Sequence, residues 1–327
     1  MTTEFPFTPG ASFSAADAHR VGISARQLST AVAEGRLVRT HRGWYHVPGS
    51  ESGRRAAHVR AATVALAEGP DGAIVSHRTA AALHRLPLLH DAKVGVRPAH
   101  LTVPRRSGGR RTPNVVIHPA PIADPGATTI DGMPVTGVAR TIADLARTNG
   151  FDTGVCAADH ALRVGMLTLD ELRDEAERHR GRHGALSLRR VADFADGRSA
   201  NPGESLSRCV IARFPEFEPP ELQTTFFRPD GVFVARTDFD WDGRLVGEFD
   251  GKTKYTGRAA EGEDPGEVAW REKVREDEIR ALGIQVVRWI WSDILAPGRL
   301  RRILREGLRL LEHQPGPIRA RRVLTRA

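Results

Sequence analysis

The stretch Asp238-Phe239-Asp240-Trp241-Asp242-Gly243-Arg244-Leu245-Val246-Gly247-Glu248-Phe249-Asp250-Gly251-Lys252-Thr253-Lys254 alternates acidic with large apolar side chains in two short runs. Strand side chains point alternately to opposite faces, so parity sorts them. Phe239, Trp241, Leu245 and Phe249 are odd-numbered and apolar; Asp238, Asp240, Glu248 and Asp250 are even-numbered and acidic, with Val246 the exception. The acids of both runs share a face of a hairpin only if paired residue numbers sum to an even value. A two-residue Asp242-Gly243 turn pairs Trp241 with Arg244 and splits the acids. A three-residue loop, Trp241-Asp242-Gly243, pairs Asp240 with Arg244 and gathers them, with glycine in the left-handed position of a known hairpin class. A one-residue slip flips every side chain, so burial of Phe239 and Phe249 selects the register that gathers the acids.

Gathered carboxylates raise one another's pKa unless a cation neutralises them. Oxygen-only ligands favour a hard ion, Mg²⁺ or Mn²⁺. Such an ion lowers the pKa of a bound water and stabilises charge developing on a phosphate. Lysine occurs only at Lys93, Lys252, Lys254 and Lys273 in an otherwise arginine-based chain. Lys252 or Lys254 is therefore expected to supply a compact point charge that orients the water or the phosphate. The bland alternative is a solvated edge hairpin whose acids only discourage aggregation.

The flanking segments predict an α/β core. A helix over Pro202–Arg213 and a strand over Leu222–Phe227 precede the hairpin. A linker (Gly257–Gly266), a helix (Glu267–Leu282), a strand (Ile284–Ile290) and a last helix (Pro297–Glu312) follow. The order is α-β-β-β-α-β-α, with a mixed sheet. Arg299, Arg301, Arg302, Arg305 and Arg309 on the last helix, with the basic tail beyond it, predict a phosphate-tracking surface, against the alternative of a solvated face.

Residues 13 to about 50 predict a winged helix-turn-helix, used for DNA binding or, on the bland alternative, only for protein contacts. Ser14 caps a helix over Ala15–Arg20, Gly22-Ile23 turns, and Ser24 caps a second helix through Glu34. Leu37 to Val47 then reads as two strands around an Arg42-Gly43 turn. Arg26, Gln27 and Thr30 are the expected base-edge or phosphate readers, and Arg39, His41 and Arg42 the wing contacts. Between about 55 and 195 the pattern gives an α+β region with helices at 55–68, 77–83, 138–147, 153–165, 168–178 and 185–194. Arg105 to Arg111 is expected to be a mobile loop, either simply solvated or contacting phosphate, and His77, His84, His118 and His160 show no paired metal spacing. The breaker-rich run 196–202 is the expected boundary of the last domain.

The formal charge of +8 and pI near 10.3 point to a polyanionic partner, usually nucleic acid, against the bland alternative of a compositional bias toward arginine. The absence of any long apolar run excludes a membrane span, and nothing indicates a nucleotide cofactor. The start Met1-Thr2-Thr3-Glu4-Phe5 lacks a signal-peptide pattern, so a cytoplasmic location is expected. The two cysteines, Cys156 and Cys209, have no metal-binding spacing.

Two resemblances sharpen this reading. Asp238-Phe239-x-Trp241 … Leu245-x-x-Glu248-Phe249-Asp250-Gly251, with Arg271-Glu272-Lys273-x-Arg275-Glu276-Asp277 and Gly283-Ile284-x-Val286-Val287-Arg288-Trp289, resembles the very-short-patch-repair-like branch of the PD-(D/E)xK nuclease superfamily. The resemblance implies a restriction-endonuclease-like core, metal ligation by Asp238 and Glu248 with Asp250 adjacent, and a further acid at Glu204. Asp250 stands where the superfamily carries its lysine. Alternatively Asp250-Gly251-Lys252 is the acid-x-lysine unit and Glu248 is auxiliary.

The segments Gly22-Ile23-Ser24-x-x-Gln27-Leu28, Gly35-Arg36-Leu37-Val38-Arg39 and Arg42-Gly43-Trp44-Tyr45 are similar to the winged helix of AbiEi-type antitoxins. That implies DNA binding, autorepression and a cognate toxin as partner. Ser76-His77-Arg78-Thr79-Ala80-Ala81 and Thr136-x-x-Ala139-Arg140-Thr141-x-x-Asp144-Leu145 look like a region found with it. There Thr141 and Asp144 read as helix-stabilising hydrogen bonders. The expected organisation is a winged helix (1–52), an α+β middle region (53–198), a nuclease-like domain (199–313) and a basic tail (314–327). Its two expected functions are metal-dependent DNA cleavage, in phage defence, a toxin–antitoxin system or DNA repair, and, alternatively, a non-catalytic repressor or antitoxin whose nuclease-like domain only binds DNA or a partner.

Overall fold

The computed structural model describes residues 6–49, 53–89, 95–96, 98–120, 126–251, 265–313 and 320–325. It divides into two compact units, 1–149 and 150–327.

In the first unit, β1 (Ser12–Ser14), α1 (Ala15–Arg20), α2 (Ala25–Ala33), β2 (Val38–His41) and β3 (Trp44–His46) form two helices and a three-stranded sheet of order β1-β3-β2. Both helices begin with capping boxes: the Ser14 and Ser24 side chains accept from the backbone three residues on, and Asp17 and Gln27 reach back. Phe13, Ala18, Ile23, Leu28, Ala31 and Leu37 make the small core beneath them. Gly43 takes φ +75° in the β2–β3 turn, a conformation that costs glycine little.

α3 (Arg54–Ala67), β4 (Ile74–Val75), α4 (His77–Leu83), β5 (Ala99–Val103), β6 (Arg110–Arg111), β7 (Val115–Pro119), β8 (Ala127–Ile130), β9 (Met133–Thr136) and α5 (Val138–Thr148) follow. The strands form a six-stranded sheet, β6-β7-β5-β4-β9-β8, over a core of Val75, Leu83, Leu101, Val103 and Val135. The Trp44 indole donates to Glu68 at 2.7 Å, joining the wing to the end of α3. The basic loop expected over 105–111 is partly structured: Arg110 and Arg111 pair antiparallel with β7.

The second unit opens with α6 (Phe151–Arg163), α7 (Leu169–Arg178) and α8 (Ala185–Phe194), packed with α9 (Pro202–Ile211). The boundary expected near 198 thus falls inside this unit, because α6 and α9 pack together and share the buried Asp159–Arg208 ion pair. Then come β10 (Glu221–Phe227), β11 (Phe233–Trp241), β12 (Leu245–Asp250), α10 (Pro265–Ala281), β13 (Gln285–Ile290), α11 (Trp291–Ile294), α12 (Pro297–Glu312) and β14 (Arg321–Val323). The sheet order is β13-β12-β11-β10-β14, with β12 and β13 parallel and the other pairs antiparallel.

Beneath the sheet, Phe239, Leu245 and Trp289 are buried. Over it, Ile279 of α10 and Leu282 just after that helix join Val246 and Val286 in a second cluster. Part of the segment expected as a basic tail is therefore a strand, with Arg321 over the Phe227 ring and Arg322 paired with Asp240 and Asp242. Of the arginines expected to track phosphate on α12, Arg301 and Arg305 pair with Glu216, and Arg309 with Glu306.

Candidate functional site

The hairpin has the parity predicted for a gathered acidic face. Phe239 pairs with Gly247, Asp240 with Val246 and Trp241 with Leu245, an even sum across an odd loop. The loop is Asp242-Gly243-Arg244, one residue later than expected. Asp242 and Gly243 both take positive φ (54° and 68°), and the Arg244 N–H donates to the Trp241 carbonyl at 3.1 Å. Asp242 tolerates this conformation as short polar residues do. Asp240 serves the turn: it accepts from the Gly243 N–H at 2.6 Å and pairs with Arg322 at 3.2 Å.

Continuing that register sets Asp238 opposite Glu248, where the ladder stops and the carboxylates begin. The Phe249 N–H donates to Asp238 Oδ2 at 2.9 Å, so a side chain takes the place of a strand carbonyl. Gln223 of β10 bridges the acids: its amide nitrogen donates to Glu204 at 3.0 Å and Asp238 at 3.2 Å, and its oxygen accepts from Arg236 at 2.6 Å. To do so Gln223 adopts φ +55° in mid-strand, a strained state of the kind that collects at functional sites. Glu204, in the first turn of α9, also accepts from the Ala200 N–H and the Asn201 amide. Burial, with the Asp238 charge beside it, pushes the Glu204 carboxyl up to about 7. A carboxyl poised there can exchange a proton at neutral pH.

Glu248 is held differently. Arg275 of α10 donates to both of its oxygens, at 2.9 and 3.2 Å, and Arg288 of β13 pairs at 3.0 Å. Burial raises the Glu248 pKa, and the two guanidiniums pull it back down. Asp250 closes β12 half-buried, opposite Ile290. Lys252 and Lys254 lie outside the described residues. Glu204 and Asp238 thus meet through the Gln223 amide, while the Glu248 carboxylate is paired with two guanidiniums. Among the described residues no three carboxylates bring ligand atoms within 4.8 Å of one another. Gln223 carries no sequence mark of its role: it sits inside a run that reads as ordinary strand. Arg275 and Arg288 lie in motif segments but look like helix and strand charges until the fold turns them onto Glu248.

On the first unit, Leu28 and Ala31 bury one side of α2 and leave Arg26, Gln27 and Thr30 exposed on the other. The Gln27 carbonyl oxygen is committed to the cap, accepting from the Ser24 N–H at 2.8 Å. This leaves Arg26 and Thr30 as the stronger candidates for a groove contact. Arg39 and Arg42 of the wing are exposed, and His41 is half-buried.

Residues 13–48 match the family described as transcriptional regulator, AbiEi antitoxin. The segment covers α1, α2 and the wing. The chain is also 30% identical over 173 residues to an uncharacterized protein of Mycobacterium tuberculosis, named MT2308 in strain CDC 1551 / Oshkosh and Rv2248 in strain ATCC 25618 / H37Rv. That stretch is 52% of this chain and 60% of the relative, so the chain spans less than two thirds of the relative's length. Among solved structures, the RV2827C protein of Mycobacterium tuberculosis is similar at a TM-score of 0.35 and 15% identity, over 60% of this chain and 75% of that one. A likeness at that level does not define a shared fold. No helix among the described residues is long and apolar enough to cross a membrane.

Proposed function

We propose that this protein is a DNA-binding regulator that reads a major groove with α2 and grips flanking phosphates with the β2–β3 wing. The observation that carries this reading is the exposed row of Arg26 and Thr30 on α2, with Arg39 and Arg42 exposed on the adjacent wing. The AbiEi antitoxin match over the same residues supports a regulatory role. On this reading its own upstream DNA is the first target to try, and its protein partner is a cognate toxin.

Fluorescence anisotropy with that DNA tests the proposal. Arg26→Ala is expected to cost about 1–3 kcal/mol of binding and to relax sequence preference. Arg39→Ala is expected to weaken binding to all sequences and to lower the slope of log affinity against log salt by about 1. Unchanged affinity in both variants, or an affinity indifferent to salt, rejects the interface.

A second activity is favoured by one arrangement, the bridging of Glu204 and Asp238 by Gln223, with Glu248 on the neighbouring strand β12, in an α-β-β-β-α-β order. On this reading Glu204 and Asp238 hold Mg²⁺ or Mn²⁺, and the ion supplies the activated water for phosphodiester hydrolysis. Glu248 is the further ligand, released from Arg275 and Arg288 when a phosphate engages them. Plasmid incubated with protein and Mg²⁺ or Mn²⁺ is expected to be nicked or cut, and Asp238→Ala or Glu204→Gln to remove at least nine tenths of the rate. No cleavage by the wild-type chain, or cleavage that persists in Asp238→Ala, leaves the second unit as a non-catalytic module.

A further inference from the structure

Three histidines distant in sequence meet inside the first unit. His77 opens α4, His100 lies on β5 and His118 on β7. The parallel β5–β7 register pairs Thr102 with His118, which puts His100 and His118 on one face, one step apart. Nδ1 of His100 lies 3.0 Å from Nε2 of His118, and the His77 ring stacks on His118 with centroids 3.7 Å apart. One nitrogen from each ring falls within 4.8 Å of the others, and among the described residues no other His, Cys, Asp or Glu trio converges so closely.

We propose that His77, His100 and His118 form a binding site for a divalent transition metal of the zinc type, with Asp144 of α5 as the carboxylate that completes or orients it. Asp144 is 1% exposed. Its Oδ1 accepts from Arg140 at 3.0 Å and lies 3.7 Å from Arg147. Its Oδ2 has no hydrogen-bond partner and points at His77, 3.6 Å from Nδ1. A buried carboxylate oxygen left in this state beside three imidazoles is what a metal, or a metal-bound imidazole N–H, would satisfy. His77 reaches the cluster at φ +52°, a region that residues with a Cβ rarely enter.

Imidazole donors select zinc, copper, nickel or iron over magnesium or calcium. Zinc–nitrogen bonds of about 2.0–2.1 Å at tetrahedral angles separate two ligand nitrogens by about 3.3–3.4 Å. The His100–His118 pair therefore has to open by only a few tenths of an ångström. A neutral imidazole offers one lone pair, so the proton shared in the His100–His118 contact has to move to an outer nitrogen or leave when the metal enters. A cavity of about 270 Å³ beside the cluster is lined by His100, His118, Arg78 and Arg111. Those guanidiniums repel any cation, the proposed metal included, and favour an anion, hydroxide or a small carboxylate or phosphate, at an open position on the metal.

The experiment uses the full-length, untagged chain freed of metal by a chelator. Zinc titration by calorimetry, with elemental analysis after dialysis, is expected to show one tightly held ion per chain. Cobalt(II) in its place is expected to give the visible bands of tetrahedral nitrogen coordination. His100→Ala and His118→Ala should lose the ion, and Asp144→Asn should weaken it by about 10- to 100-fold. Circular dichroism identifies any variant that fails to fold. Because the cobalt spectrum is read on the native chain, absent bands overturn the proposal whatever the variants do. Zinc retained by folded His100→Ala and His118→Ala, or lost instead in Asp238→Ala with Glu248→Ala, overturns it too. The former means that the histidines are only a packed cluster, the latter that the ion sits among the acids.

Discussion

Arg208→Met is expected to lower the stability of the second unit by about 3–5 kcal/mol at neutral pH, the usual cost of stranding a buried charge. Arg208 of α9 pairs with Asp159 of α6 at 2.7 Å, with side chains 10% and 0% exposed. Its other terminal nitrogen donates to the Phe194 carbonyl at 2.7 Å, so one side chain ties three helices together. Burial already raises the Asp159 pKa, and Arg208 is the main influence holding it down. Removing the guanidinium raises it further.

The sign of the pH effect follows. A carboxyl whose pKa is higher folded than unfolded binds its proton more tightly in the folded state. The stability it contributes is complete below the unfolded value and is lost as pH rises through the folded one. The deficit of Arg208→Met should therefore be largest at neutral pH and shrink as pH falls toward the ordinary aspartate range, where Asp159 is protonated. Urea unfolding of both proteins at neutral and mildly acidic pH measures this. A deficit below about 1 kcal/mol, or one indifferent to pH, would show that the pair contributes no more than a surface bridge.

Gly247→Ala is expected to reach or exceed the top of the roughly 1–3 kcal/mol range for overpacking a core. A Cβ at Gly247 would lie 2.3 and 2.5 Å from the Trp289 ring, and 3.2 Å from Trp241. Trp289 is 1% exposed and its indole N–H donates to Ser207 at 2.8 Å, so it cannot swing aside. The displaced strand would carry Glu248 with it. Thermal unfolding followed by tryptophan fluorescence checks the loss. A midpoint unchanged from the native chain would mean that Trp289 repacks freely.

The legible parts of the sequence are those governed by local pattern. Ser14 and Ser24 start their helices because each has the acid or amide of a capping box three residues on. Odd and even positions of the hairpin sort as predicted because burial of Phe239 punishes a slip. The loop moved by one residue because Asp242 accepted a left-handed backbone, which parity cannot foresee. Breakers near 198 do not reveal that Arg208 reaches back across them to Asp159. His100 escaped notice, and His77 and His118 looked isolated, because only the parallel pairing of β5 with β7 and the seating of α4 bring them together. At the acidic site Asp238, Glu248 and Glu204 were legible as residue types. Gln223, Arg275 and Arg288 were not, since their roles arise from tertiary geometry.

The grip of Arg275 and Arg288 on Glu248 has a consequence for the order of binding. These guanidiniums are tethered competitors for the carboxylate, so any cation that binds Glu248 has to displace them. A phosphate that draws either of them away also strips Glu248 of its counter-charge, and so raises its appetite for a metal. By reciprocity, an ion seated there frees the arginines for phosphate. On the proposed metal-dependent reading the two anions, one fixed in the strand and one arriving from outside, compete for the same pair of cations, which would couple metal and polyanion through side-chain movement alone.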